Sequence, residues 1–201
     1  MIKRRSKTLI GLDKAQAARG RGAFRTAISE YEKVLAQHPE RADVFVRVAD
    51  LYSKQHDKKA AHSAYMKAAA AFVGQGFPER ALAAYLSAAR VLPREPTAWR
   101  EAAELELQRS HKTNGMRLLM RSADALSKAR QHEAALVLLR RAFSLEPFQL
   151  EVSLSVARAL LRTGRRQEAR SLLVRLAFER RPARWALIRA FPRLAFSRLF
   201  P

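Results

Sequence analysis

Cysteine is absent from the 201 residues. That excludes disulfides, thiolate metal sites and a cysteine nucleophile, and suits a reducing compartment. Glycine and proline are scarce, at 7 and 8 residues, and runs of Val, Ile and Thr are almost missing, so nothing reads as a strand. No apolar stretch approaches the roughly 20 residues needed to cross a bilayer. The opening, MIKRRSKTLIGLDKA, is basic, but its apolar run from Leu9 to Leu12 is too short for the core of a secretion signal. These absences lead us to expect a cytoplasmic protein, possible contact with a membrane being peripheral.

Catalytic signatures are missing too. The histidines at positions 38, 56, 62, 111 and 132 show no His-Glu-x-x-His spacing, and several fall at turns. Glu101, Glu104 and Glu106 read as a solvated helix face, because no second acidic cluster accompanies them at a fixed spacing. Gly20-x-Gly22 and Gly74-x-Gly76 lack the Lys-Ser/Thr of a phosphate loop and read as helix stops. No Ser, Thr or Lys has a base suggested beside it. The expectation is a protein without catalytic residues, cofactor, metal or small-molecule substrate.

What is present favours helix throughout. Hydrophobic residues make up 48% of the chain, and much of that is Ala, which with Leu and Arg forms helices well. The net charge is +21, unevenly spread. Residues 1–25 hold 8 basic against 1 acidic residue, and residues 162–201 hold 11 against 2. The stretch between them, 26–161, holds 20 against 15. The body is therefore nearly balanced and the two ends are basic.

Apolar spacing and turn residues predict ten helices, over 13–20, 23–37, 42–54, 58–73 and 78–93, a sixth started by Glu95-Pro96, then 112–127, 132–145, 149–162 and 166–179. Asp57 is an expected N-cap. Expected inward residues include Ala27, Tyr31 and Val34, then Phe45, Val48, Ala49 and Tyr52, then Phe72 and Trp99. Residues 1–12 read as a loosely ordered basic lead-in, 13–181 as one uninterrupted helical array, and 182–201 as a basic aromatic end segment.

The helices recur. AISEYEKVLAQHP, ALAAYLSAARVLP and ALVLLRRAFSLEP are related stretches closing at Pro39, Pro93 and Pro147. Small residues stand at one set of helix crossings (Ala15, Ala49, Ala69, Ala103, Ala123, Ala157) and at a second (Ala27, Ala61, Ala81, Gly115, Ala135, Ala169). Four residues after the second set come Tyr31, Tyr65, Tyr85, Leu119, Leu139 and Leu173. A larger side chain at a crossing would hold the backbones apart. Over about residues 8–182 this pattern resembles the tetratricopeptide repeat (TPR), a 34-residue helix-turn-helix. The resemblance implies an all-α fold, an α-solenoid of antiparallel helices, and work as a protein-binding scaffold or adaptor.

The spacing departs from the family pattern in one respect. Intervals between second-set positions alternate between the family's own repeat length and a much shorter step, as from Ala27 to Ala61 and then from Ala61 to Ala81. The helices near 58–73 and 112–127 therefore each serve two repeats. The result is a 54-residue, three-helix period, marked by Ala27, Ala81 and Ala135. The positions of the family's carboxylate clamp, which wants Lys and Asn, read Leu12 and Gln16, Val46 and Asp50, and Met66 and Ala70; a chaperone-tail receptor is not implied.

Two regions are candidates for binding. Asp43, Asp50, Arg100, Glu104, Arg117 and Asp124 occupy slots that face the groove in ordinary repeats, and their mixed sign suits a polar protein partner. The end segment PARWALIRAFPRLAFSRLFP interleaves Arg184, Arg189, Arg193 and Arg198 with Trp185, Phe191 and Phe196. It suits a terminal cap on the array, docking on an anionic membrane, or a helix seated in a partner's groove. The leading expectation is a non-enzymatic protein-protein interaction scaffold. The alternative is a binder of anionic surfaces, membrane or nucleic acid, through the basic ends; the balanced middle and the lack of a binding motif make nucleic acid the weaker of these.

Overall fold

The computed structural model describes residues 2–147 and 149–179, with side chains described for 8–147 and 149–177. Among these residues there are ten helices and no strand: α1 (Ile2–Gly20), α2 (Phe24–Gln37), α3 (Ala42–Lys54), α4 (Lys58–Gly74), α5 (Pro78–Val91), α6 (Pro96–Gln108), α7 (Lys112–Lys128), α8 (His132–Leu145), α9 (Leu150–Arg162) and α10 (Arg166–Glu179). They form two compact units, Met1–Pro93 with α1 to α5 and Arg94–Pro201 with α6 to α10. The expected array over 13–181 had no such internal boundary. The division falls at the Pro93-Arg94-Glu95-Pro96 turn.

The three-helix period is written into the turns. Gly22, His56, Gly76, Ser110, Arg130 and Gly164 all have left-handed backbones, with φ between +61° and +79°. Gly22, Gly76 and Arg130 are spaced by the full period, and so are His56, Ser110 and Gly164. Each ends a helix by returning the next N–H to a carbonyl in the helix's last turn, as Asp57 N does to Tyr52 O at 3.0 Å and Arg165 N to Leu160 O at 2.8 Å. This ties off carbonyls that the helix end would leave bare. The remaining ends differ. α2, α5 and α8 stop at His38, Leu92 and Glu146, with φ of −137°, −126° and −136°, because the proline that follows each disfavours helical backbone before it. Asp57 caps α4, its side chain accepting from Ala60 N at 3.0 Å.

Packing follows the same cycle. In the first unit α4 lies against both α3 and α5, and in the second α7 lies against both α6 and α8. These shared helices are 17 residues long, against 13 and 14 for their neighbours in the cycle. The α2–α3 joint is much thinner than the α3–α4 joint. All twelve small crossing residues are buried: the eleven alanines are at most 1% exposed, and Gly115 is buried with them. Tyr31, Leu119 and Leu173 are also enclosed, whereas Tyr65 is half-buried.

Several sequence expectations change. Residues 2–12 belong to α1 and are not a loose lead-in. Gly11 does not break the helix but lets it approach α2, since a Cβ there would stand 3.0 Å from Val34 Cγ2. Buried Thr8 shares a hydrogen bond of 2.9 Å with His38 Nε2 at the end of α2. Phe45, Tyr52 and Trp99 are only half-buried, while Val44 and Leu51 fill the core beside α3. Glu106 is not on a solvated face: it is 6% exposed and meets His111 Nδ1 at 2.6 Å.

Candidate partner-binding surfaces

The six groove-slot residues each find a partner within the chain. Arg41 donates two hydrogen bonds to Asp43, at 2.9 and 2.7 Å, and this guanidinium holds the Asp43 carboxyl below its ordinary range against the opposing effect of burial. Asp50 accepts from Tyr65 Oη at 2.5 Å. Desolvation, then this hydrogen bond, push the Tyr65 phenol up to about 12. In the second unit Arg100 pairs with Glu101, Arg117 donates to Asn114, and Asp124 pairs with Lys128 at 2.7 Å. Glu104 receives a two-pronged contact from Arg141 of α8. These residues are largely spoken for, and within each unit they do not converge on one site. Among the described residues no three His, Asp or Glu side chains gather as metal ligands. Arg184, Trp185, Arg189, Phe191, Arg193, Phe196 and Arg198 lie outside the described residues.

A concave surface does open on the other side of α3. Residues two apart point about 200° away from each other round a helix, so Phe45 and Tyr52 face opposite to Asp43 and Asp50. The thin α2–α3 joint leaves a trough walled by α2 and α4, with Phe45 and Val48 in its floor. It comprises two adjoining hollows of about 410 and 510 Å³ that share Phe45 and Lys67. Leu35, Ala36 and Pro39 line the α2 side, and Ala60, Ala64 and Ala71 the α4 side. Tyr52 Oη donates to Glu32 at 3.1 Å on one rim. Lys67, on the other, has no ion-pair partner among the described residues.

Two periods later the same register is closed. Arg140 of α8 donates to Glu168 of α10 at 2.6 Å, at the places held by Glu32 and Ala60 in the first unit. Ser153, fully buried, stands where Phe45 does and donates to Gln149 O at 2.8 Å. The trough therefore reflects particular side chains and not merely the repeat.

The second unit has a smaller and more polar hollow of about 160 Å³ between α7, α8 and α9. Met120, Ala123, Leu139 and Ala159 form its apolar lining, and Asp124, Arg158 and Arg162 its charged rim. Neither arginine has an ion-pair or hydrogen-bond partner among the described residues. The sequence held a signal for Arg158: it continues the once-per-period series Asp50, Glu104, where the sign of the charge reverses.

Models of the tetratricopeptide repeat match residues 12–73 and 66–113, and a second one residues 126–190. The chain belongs to the tetratricopeptide repeat family. Among solved structures it is similar to the MamA protein (17% identity, 94% of this chain and 96% of that one, TM-score 0.29). It is also similar to YrrB, a TPR protein with an unusual peptide-binding site (13%, 94% and 94%, TM-score 0.36), and to a thermophilic TPR protein of Thermus thermophilus (19%, 91% and 96%, TM-score 0.34). No curated protein matches the chain. In this chain α4 and α7 each pack closely on both their neighbours, in keeping with the three-helix cycle read from the spacing.

Proposed function

We propose that this TPR protein is a non-enzymatic interaction scaffold whose first unit holds an amphipathic helix of a partner protein in the trough between α2 and α4. The observation that carries the reading is an apolar floor beside a charged group, Lys67, that has no ion-pair partner among the described residues. Two helices walling a third is the geometry of helix-in-groove recognition. The occupant's apolar face would cover Phe45, Val48 and Leu35, and an acidic residue on its edge would meet Lys67. A photo-cross-linking residue at exposed Ser63 should capture a discrete partner from host extract. Ala36→Arg, which fills the trough from an exposed position, and Lys67→Glu should each abolish the capture. Capture that survives both substitutions rejects the trough as the site.

A second reading rests on α1. Leu9 and Ile10 are 59% and 52% exposed, on the helix that carries the basic opening of the chain. Exposed apolar residues beside clustered Lys and Arg suit an anionic membrane surface. Among the described residues no helix is long and apolar enough to cross a membrane, so this contact would be peripheral. Sedimentation with phosphatidylserine vesicles should be lost on Leu9→Ser with Ile10→Ser if α1 mediates it. Equal sedimentation of this variant and wild type removes the reading.

A further inference from the structure

We infer that the end of the first unit where α1 turns into α2 and α3 into α4 binds the phosphate backbone of duplex nucleic acid. The inference uses neither the trough nor the apolar residues of α1, and it stands or falls apart from both readings above. Consecutive helices joined by short turns run antiparallel, so the α1–α2 and α3–α4 turns emerge at the same end. A direct contact joins them: Lys54 Nζ, in the last turn of α3, lies 5.6 Å from the centre of the Phe24 ring, which opens α2. Arg19, Arg21 and Arg25 surround one turn, Lys54, Lys58 and Lys59 the other, and all six are exposed. None has an ion-pair partner among the described residues. The single acid in the stretches 19–25 and 54–59 is Asp57, occupied as the cap of α4.

Fold stability does not account for this cluster. Arg25, Lys58 and Lys59 stand in first helical turns, where the helix dipole favours acids. α3, α5, α8, α9 and α10 each carry an acid in that turn, whereas α2 and α4 carry these cations and no acid. Nor does the repeat require it. Two periods later Ser127, Ala129 and Glu133 stand in place of Arg19, Arg21 and Arg25, and Glu133 is paired with Arg165 at 3.1 Å. The surroundings narrow the ligand. A membrane or a protein partner needs apolar contact beside the charge. The exposed large apolar residues described in this unit lie elsewhere: Val73 and Phe77 at the opposite end, Leu9 and Ile10 about 15 Å back along α1. Single strands are held by stacking on open aromatic rings, but Phe24 is half-buried beneath Lys54. Long, mobile cations alone suffice for the evenly charged backbone of a duplex, which they hold without regard to sequence. The near-balance of charge over 26–161 conceals the patch, because a count along the chain averages over both ends of every helix.

The test is fluorescence anisotropy of the full-length protein with labelled DNA and RNA duplexes of mixed sequence, over a range of salt concentrations. Binding should be indifferent to sequence and weaken steeply with salt. Arg21→Gln, Arg25→Gln and Lys58→Gln combined should flatten the slope of log affinity against log salt by about 2–3, since each phosphate contact contributes about 0.9 on a DNA duplex. At about 0.1 M salt this patch variant should bind about tenfold more weakly or worse. Because the whole chain carries a net charge of +21, the control is Arg121→Gln with Arg158→Gln and Arg170→Gln, an equal loss of charge from exposed residues of the second unit. Its slope should match wild type, and wild-type thermal midpoints for both variants establish that they are folded. The proposal falls if neither duplex binds, if patch variant and control flatten the slope alike, or if a single strand of equal length binds more tightly than the duplexes. It falls too if polyglutamate of equal charge displaces a duplex as well as unlabelled duplex does. A patch variant that loses sedimentation with phosphatidylserine vesicles while keeping duplex binding would assign the patch to a membrane and reject the proposal. Duplex binding kept by Ala36→Arg and by Leu9→Ser with Ile10→Ser, but lost by the patch variant, separates it from the trough and from α1.

Discussion

Gly115 occupies the one second-set crossing position that is not alanine, and its surroundings explain why. A Cβ added there would stand 2.5 Å from Leu107 Cγ and Cδ2, and 3.2 Å from the Ala103 carbonyl. Alanine is favoured over glycine inside a helix by about 1 kcal/mol, but the collision opposes that gain. Gly115→Ala is expected to lower stability by about 1–3 kcal/mol through overpacking, whereas in a Leu107→Ala background the same change should raise it by about 0.5–1 kcal/mol. Urea unfolding of the four proteins measures both, and one sign in both backgrounds contradicts the steric account. Tyr65 supplies a second test. With its phenol raised to about 12 from an ordinary value near 10, the folded state prefers the protonated ring. The resulting stabilisation is complete below pH 10 and disappears as pH rises through 12. Ultraviolet titration should show one of the tyrosines ionising late, and Asp50→Asn should bring that midpoint down by replacing a charged acceptor with a neutral one. A midpoint unmoved by Asp50→Asn would leave desolvation as the whole cause.

At the scale of the element, the turns decide where helices stop, and the residue types at them are not uniformly the best available. Gly22, Gly76 and Gly164 adopt left-handed backbones freely, but His56, Ser110 and Arg130 adopt the same geometry with a side chain. A left-handed residue with a Cβ is strained by roughly 1–2 kcal/mol, offset in part by the greater freedom glycine has when unfolded. Ser110→Gly and Arg130→Gly are therefore each expected to stabilise the protein by about 0.5–1 kcal/mol, read as a higher urea midpoint at unchanged slope. A lower midpoint for both would show that these side chains make contacts outweighing the strain. Most helix bounds were legible because caps and breakers are local: Asp57 before α4, Pro96 opening α6 and Pro39 closing the α2 turn. The first half of α1 was not, since it depends on Gly11 meeting Val34 and Thr8 meeting His38, contacts between positions far apart in the chain. The trough was hidden for a related reason. Spacing marks Phe45 and Tyr52 as apolar-face residues but does not reveal that the α2–α3 joint is too thin to cover them.

For the whole molecule, the register of small residues was the strongest signal in the sequence, because close helix approach leaves few substitutes for Ala or Gly. The binding surfaces were weaker in it, because slots that face a groove in ordinary repeats are filled here by pairs such as Asp50 with Tyr65 and Glu104 with Arg141. Lys67, Arg158 and Arg162 stand out among several unpaired cations of the described residues only because each lines a hollow, which the sequence does not show. The same near-neighbour packing sets how damage should spread. In a repeat fold each helix leans on those beside it, so stability is roughly a sum of local terms. Ala81 of α5 and Ala135 of α8 are both fully buried at crossings but belong to different units. Ala81→Leu and Ala135→Leu should each cost about 1–3 kcal/mol. Amide hydrogen exchange should place the loss: Ala81→Leu is expected to speed exchange in α4 and α5 while α8 to α10 keep their protection, and Ala135→Leu to speed α7 and α8 while α2 and α3 keep theirs. Uniform acceleration over all ten helices by either variant would mean that the two units unfold as one, and that the boundary at Pro93 has no energetic counterpart.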